Sequence, residues 1–357
     1  MALPGDIREI VREELFITRP AVQASYDLLY GTNKLKLSNL FIMVLWWKDG
    51  PIEGYSAQVV NPEEYWSNEG LKVPANKAMT LMTRVLVRYP IVQFHMKMPT
   101  DRRIVICVGG RRFELASWTA LEWWHDEERL FVVTSRMEFA SQSSREITAF
   151  AKPTDITTAK HTYTFKVNKG FTEVWIDDRL RAIALHLLPK VTNPPPFHID
   201  GPPYTIIPSF TPATVGGANL YIFPSSAESL IDLTPHDVSL FESDPNPPKV
   251  YPLYETGTDN PFAGKEIESG ELVSHPVPVL GYENKTIYFM ADKDSTSGGL
   301  VIEVLTQAGN WRVYDSLTYT ANKLLVYKMT GDAILVRVRY TPASYPAKVL
   351  EGEVVMV

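Results

Sequence analysis

From about residue 36 onward, apolar and polar positions alternate with a period of two, and turn residues separate the runs. Period two puts successive side chains on opposite faces of a pleated strand, so short half-buried strands are expected. The runs are Asn39–Trp47, Met79–Tyr89, Ile91–Met98, Ile104–Val108, Ala120–Trp124, Leu130–Thr134 and Ile147–Phe150. Next come His161–Val167 and Phe171–Asp177, joined by Asn168-Lys169-Gly170, which predicts a hairpin. Before residue 36 the period differs. Asp6 is a plausible N-cap, and Ile7, Ile10, Val11 and Leu15 share one face of a short helix.

Residues 189–261 are rich in proline, including Pro194-Pro195-Pro196, and proline removes a ladder donor. Only Ala218–Phe223 and Asp237–Phe241 read as strands there, with a linker near 243–249. The final third carries six further runs: Lys285–Met290, Leu300–Leu305, Trp311–Tyr314, Lys323–Tyr327, Ala333–Tyr340 and Lys348–Met356. Ile334, Val336, Val338 and Tyr340 are expected to face inward, with Arg337 and Arg339 opposite. Asp294–Gly299 and Thr330–Asp332 read as turns, as do Gly109-Gly110 and Gly216-Gly217. The expected organisation is an N-terminal helix and arm (1–35), a larger β-sandwich (36–243) and a smaller C-terminal one (244–357).

Composition narrows the function classes. A hydrophobic share of 45% is enough for real cores. The net charge of −6 argues against nucleic acid as main partner, since phosphate binding needs a basic surface. Arg102-Arg103 and Arg111-Arg112 are the candidates for a local basic patch. One cysteine, Cys107 in a β-branched run, excludes internal disulfides and Cys-rich zinc sites and reads as a buried hydrophobe. The most apolar stretch, Leu37 to Trp47, is too short to span a bilayer. The N-terminus lacks a basic start followed by an apolar run, so cytoplasmic synthesis is expected.

His161-Thr162-Tyr163-Thr164-Phe165-Lys166-Val167, followed by Glu173-Val174-Trp175-Ile176-Asp177-Asp178-Arg179-Leu180, resembles the concanavalin A-like lectin/glucanase superfamily. Asp178 stands where that family commonly has a turn glycine. Leu121-Glu122-Trp123-Trp124-His125-Asp126 is similar to its concave-sheet strand. The resemblance covers about residues 36–243 and implies an antiparallel jelly-roll sandwich. Gly309–Asp315 and Val336–Pro342 resemble small jelly-roll or Ig-like modules of virion and surface proteins.

Candidate chemistry follows from these runs. Glucanases of the resembled superfamily use paired acids spaced E-x-D-x-E, which this chain lacks. Glu122 and Glu138, on neighbouring strands, are the one pair to consider for glycoside hydrolysis. A binding groove is favoured, because sugar rings stack on aromatic faces. Trp118, Trp123, Trp124, His125, Tyr65 and Trp66 are its candidate residues. Alternation places Leu121, Trp123 and His125 on one face and Glu122 and Trp124 on the other, so one tryptophan of the pair belongs to the core.

No cofactor is implied. Asp126-Glu127-Glu128 and Asp292-Lys293-Asp294 could offer oxygen ligands to calcium. The leading expectation is a non-enzymatic structural or adhesive protein of a virion or surface assembly, homo-oligomeric and glycan-binding. Proline content and the absence of cysteine pairs also suit a thermophilic host. A glycoside hydrolase or lyase and a double jelly-roll capsid protein are the alternatives.

Overall fold

The structure is a computed structural model describing residues 37–48, 55–109, 118–138, 142–187, 198–209, 214–306 and 309–357. The helix expected over 6–15, Arg111-Arg112 and Pro194–Pro196 lie outside them. The protein is nearly all β, with 57% of residues in strands and no helix of seven or more residues among those described. The class expected from the alternation is therefore the class observed. By contacts the chain divides into two units. Unit 1 holds residues up to Val167, Glu173–Arg179 and Ala213–Pro245; unit 2 holds Asn168–Thr172, Leu180–Pro212 and Asn246–Val357.

Unit 1 is built on a nine-stranded sheet. Its main path runs Gln142–Phe150, Arg129–Glu138, Trp118–Trp124, Ile104–Gly109, Val215–Ile222, Ala78–Thr83, Phe41–Lys48 and Tyr55–Val60. Short Val87–Arg88 pairs beside Val215–Ile222. A second antiparallel layer carries Phe171–Ile176, His161–Val167, Pro90–Met96 and Val238–Glu242. Alternation decides what meets between the layers. Met43, Leu81, Ile106, Leu121 and Leu220 of the large sheet are buried, as are Val92, Phe94, Tyr163 and Phe165 of the second layer. In the second layer Gln93 is half-buried and His95 exposed, both at positions of opposite parity.

Two local features of unit 1 depart from or refine the expectation. Gly216 and Gly217 are not a turn but lie inside the Val215–Ile222 strand. A Cβ on Gly217 would stand 2.1 Å from Thr83 Oγ1 and 3.0 Å from the Val85 carbonyl. Only glycine lets the backbones approach so closely. The loop after Phe171–Ile176 holds Asp177 at φ +53°, in the left-handed region; the position expected to need glycine, Asp178, is its neighbour and has no positive φ. Asp177 stabilises the turn with its own carboxylate. It accepts from the Thr162 amide (3.0 Å) and bonds His161 Nδ1 (2.9 Å).

Unit 2 has two five-stranded sheets, and all six runs expected in the final third are strands. Ile334, Val336, Val338 and Tyr340 are buried as the alternation requires. Glu303 sits opposite Arg337 across the ladder, and its Oε2 accepts from Arg337 Nε at 2.6 Å. Asp294–Gly299 is not a simple turn. Ser295–Leu305 is one strand, and the register slips between Ser295 and Leu300, so Thr296–Gly299 form an irregularity within the ladder. The unit also draws on the middle of the chain. Arg179–His186, of which Arg179 groups with unit 1, pairs in parallel with Thr205–Ser209. Phe171, Ile183, Leu185, Leu187, Tyr204 and Ile206 are buried in the same core as Phe289, Val338 and Val354.

Candidate functional site

The two tryptophans of Leu121–Trp124 separate as the pleat demands. Trp123 is in the core at 1% exposure, its indole N–H donating to the Pro99 carbonyl at 2.7 Å. Trp66 is equally buried. Its N–H donates to the Leu233 carbonyl (2.7 Å) and its ring meets Phe41 edge-on at 4.8 Å. Neither ring offers a face to a ligand, so both correct the expectation of a binding role. Tyr65 is half-buried and closes the short 3-10 turn Pro62–Glu64. His125 opens the turn after the Trp118–Trp124 strand, half-buried, with Nδ1 unpaired. Trp118 begins that strand, where its backbone pairs with Gly109 and Ser135.

The register also separates the two glutamates. Glu122 pairs with Phe131 across the ladder. Glu138 lies seven positions farther along the Arg129–Glu138 strand. Seven steps along the strand span about 24 Å. Glycosidase carboxyls stand about 5–9.5 Å apart across one cleft. Glu122 and Glu138 are not such a pair.

What gathers around Trp124 is a different arrangement. Glu122 and Trp124 share the face of the large sheet opposite its core. The registers add Val105, Cys107, Ala120, Phe131 and Tyr221 to that face. Val105, Cys107 and Ala120 form a small buried cluster with Tyr221 and Phe223 packed on it. Cys107 is the buried hydrophobe expected, its thiol pushed up to about 12 by burial.

Arg103, just before the Ile104–Gly109 strand, lies over this cluster. Its guanidinium carbon is 4.1 Å from the Trp124 ring centroid and 4.8 Å from that of Phe223. One terminal nitrogen donates to Glu122 Oε2, and the same oxygen accepts the Trp124 indole N–H at 3.1 Å. Burial lowers the Arg103 pKa, while Asp126 and Glu127 in the adjoining turn pull it up. The group nonetheless stays cationic. Its Nε–H is buried and has no hydrogen-bond partner. Tyr221 and Phe223 meet edge-on at 4.8 Å, and Trp124 and Phe131 tilt together at 4.7 Å. Farther along the same face, Trp46 donates to Thr80 Oγ1 at 2.9 Å.

The result is a row of rings, Trp124, Tyr221 and Phe223 half-buried, with one fixed cation among them. Cation–π contacts of this kind hold a guanidinium in place. Arg103 was legible only as half of a basic pair. Its neighbour Arg102 behaves otherwise: buried at 1% exposure, it bonds Asp101 and the Ala227 carbonyl (2.8 Å) and forms no surface patch. Tyr221 and Phe223 were read only as strand residues. Their alternation with buried Ile222 was the signal available.

The acidic turns proposed for calcium are engaged otherwise. Glu127 pairs with Arg129 at 3.5 Å. Asp292 accepts from the Lys348 amide (2.6 Å) and Asp294 from the Ala321 amide (2.7 Å). Among the described residues, no three His, Cys, Asp or Glu side chains converge as a metal site.

No family model matches the chain, and no curated protein matches it. Solved structures with a similar strand arrangement include a β-1,3-1,4-glucanase (lichenase) derived from a mouse hindgut metagenome. It is 11% identical, with 57% of this chain and 83% of that one covered and a TM-score of 0.34. LamAcat from Zobellia galactanivorans is 12% identical, with 58% and 81% covered and a TM-score of 0.34. The carbohydrate-binding module CBM66 from Bacillus subtilis is 8% identical, with 49% and 94% covered and a TM-score of 0.31. At these scores the overlap is partial and says nothing about activity.

Proposed function

We propose that the protein is a non-catalytic carbohydrate-binding protein, and that the aromatic face around Arg103 in unit 1 takes the glycan. The observation that carries this is the placement of Arg103 between Trp124 and Phe223 on a face of partly exposed aromatic rings. Sugar rings present C–H faces that stack on aromatic rings, while their hydroxyls seek fixed donors and acceptors. Glu122 fixes Arg103 in place beside the rings. Hydrolysis is disfavoured on this face, because Glu122 serves as the counter-ion of Arg103 and Glu138 lies seven strand positions from Glu122's cross-strand partner Phe131.

The test is titration of the full chain with a panel of soluble polysaccharides, mixed-linkage β-glucan among them, alongside an assay for new reducing ends. The expected result is saturable binding with no reducing ends released. Trp124→Ala and Phe223→Ala should each weaken binding at least tenfold. Release of reducing ends by the wild type, lost in Glu122→Gln, would establish a hydrolase instead. Failure of every polysaccharide to bind would defeat the reading.

A further inference from the structure

The nine-stranded sheet of unit 1 ends at the Tyr55–Val60 strand, whose one ladder partner among the described residues is Phe41–Lys48. Its other side presents a row of backbone amides and carbonyls to solvent. Ala57, Gln58 and Val59 are exposed, Val59 at 68%. A free edge of this kind is a template for a further strand, so folded chains blunt their edges with charge, proline or a bulge.

Every other edge strand of four or more residues among those described carries such a device. Gln142–Phe150, at the opposite end of the same sheet, has Arg145 and Glu146. Thr205–Ser209 contains Pro208, and Val238–Glu242 ends on Glu242. In unit 2, Lys249–Pro252 has a lysine and a proline, and Leu325–Met329 has Lys328. Trp311–Leu317 has Arg312, Asp315 and a register slip against its neighbour. Tyr55-Ser56-Ala57-Gln58-Val59-Val60 has none of these. Its pairing with Phe41–Lys48 runs from Met43↔Val60 to Lys48↔Tyr55 without a bulge, so the outer edge is as regular as the inner one.

We propose that a second copy of the chain pairs with this edge, antiparallel, so that one sheet runs unbroken across a two-fold dimer. The strand suits pairing with itself. Directly opposed residues share a face, and a two-fold axis normal to the sheet keeps each residue on its own face. The axis must therefore pass at a residue, and Ala57 and Gln58 are the central ones. Centred on Ala57, Val59 stands opposite Tyr55 of the partner subunit; centred on Gln58, it stands opposite Ala57 of the partner subunit. Val59 gains an apolar neighbour in both registers, and no like charges are opposed in either. A neutral edge offers no counter-charge to select a charged peptide, so a second copy is the partner it fits. The same axis sets the Arg103 faces of both copies on one side of the joined sheet, and the proposal does not depend on what those faces bind.

The experiment is sedimentation of the full chain over a concentration series up to tens of micromolar. It compares the wild type, Gln58→Lys, Gln58→Glu and an equimolar mixture of the two variants. The wild type is expected to be dimeric. Each variant alone places like charges opposite or diagonal across the axis and should dimerise at least tenfold more weakly. The mixture should regain the dimer, which would also show that both variants are folded. The proposal is overturned if the wild type is monomeric throughout or if Gln58→Lys dimerises as well as the wild type. It is equally overturned if the mixture stays monomeric.

Discussion

Glu122 is 2% exposed, and it is tolerated there because it shares its charge with Arg103 and accepts the Trp124 N–H. Removing one partner of such a pair leaves the other desolvated and uncompensated. Arg103 is still partly open to solvent, so the loss is moderated. Glu122→Gln is expected to lower stability by about 1–2 kcal/mol, read from urea unfolding. An unchanged midpoint would show that the pair contributes nothing. The sequence made the parity of Trp123 and Trp124 legible but not which of them faces the core. That choice rests on which face meets the second layer, a pairing with residues far along the chain. The same dependence hid Tyr221 and Phe223.

Two histidines of unit 2 set a pH dependence. Burial depresses both His186 and His275 to about 4, and Tyr204 meets His275 edge-on at 4.8 Å. An unfolded histidine titrates near 6.5. Between the two values the unfolded chain binds more protons, so stability is full above about 6.5 and falls as pH drops toward 4. Each histidine contributes about 3 kcal/mol at most. Chemical denaturation at pH 7 and pH 4.5 should show this loss, and His275→Phe should reduce it by about half. A flat profile in the wild type would contradict the burial of both rings.

At the scale of elements, the hairpin around Asn168-Lys169-Gly170 was the most legible feature. Its signals are local: Asn168 Oδ1 accepts from the Gly170 and Phe171 amides at 2.9 and 2.8 Å. What local signals could not convey is that Gly170 also abuts Gly281, more than a hundred residues later. Gly170→Ala would force backbone apart from backbone, an overpacking cost of about 1–3 kcal/mol or more. Gly257→Ala is the comparison, since nothing lies within 4 Å of its Cβ position, although its φ of +78° is itself costly to alanine. A larger drop in melting temperature for Gly170→Ala is expected; equal drops would mean that strain at positive φ, not the close approach, dominates. The Asp294–Gly299 stretch misled for a related reason. Glycine and serine suit a turn and a bulge equally well, and only the pairing with Leu335–Pro342 distinguishes them.

For the whole molecule, unit 2 is completed by side chains that precede it by many residues. Phe171, Ile183, Leu185, Leu187, Tyr204 and Ile206 each bury most of a large side chain in its core. At about 1.5–3 kcal/mol per side chain, their loss removes roughly 10–20 kcal/mol. Domains are stable by only about 5–15 kcal/mol. A fragment of residues 244–357, cut where the sequence suggested a boundary, is therefore expected to lack cooperative unfolding and near-ultraviolet dichroism. A fragment that melts cooperatively would show that the late strands suffice. The six late strands were legible because each alternates on its own. The earlier contribution was not, since the parallel strand Thr205–Ser209 contains Pro208 and sits in a proline-rich stretch.

That interleaving fixes an order of events during synthesis. Residues 168–212 leave the ribosome with their apolar side chains made and their partners still unwritten. At about 5–20 residues per second, the 246–357 segment follows over roughly 5–20 s. Through that interval Phe171, Ile183 and Leu185 are candidates for chaperone capture. A stop codon anywhere in the last strands would leave them exposed for good.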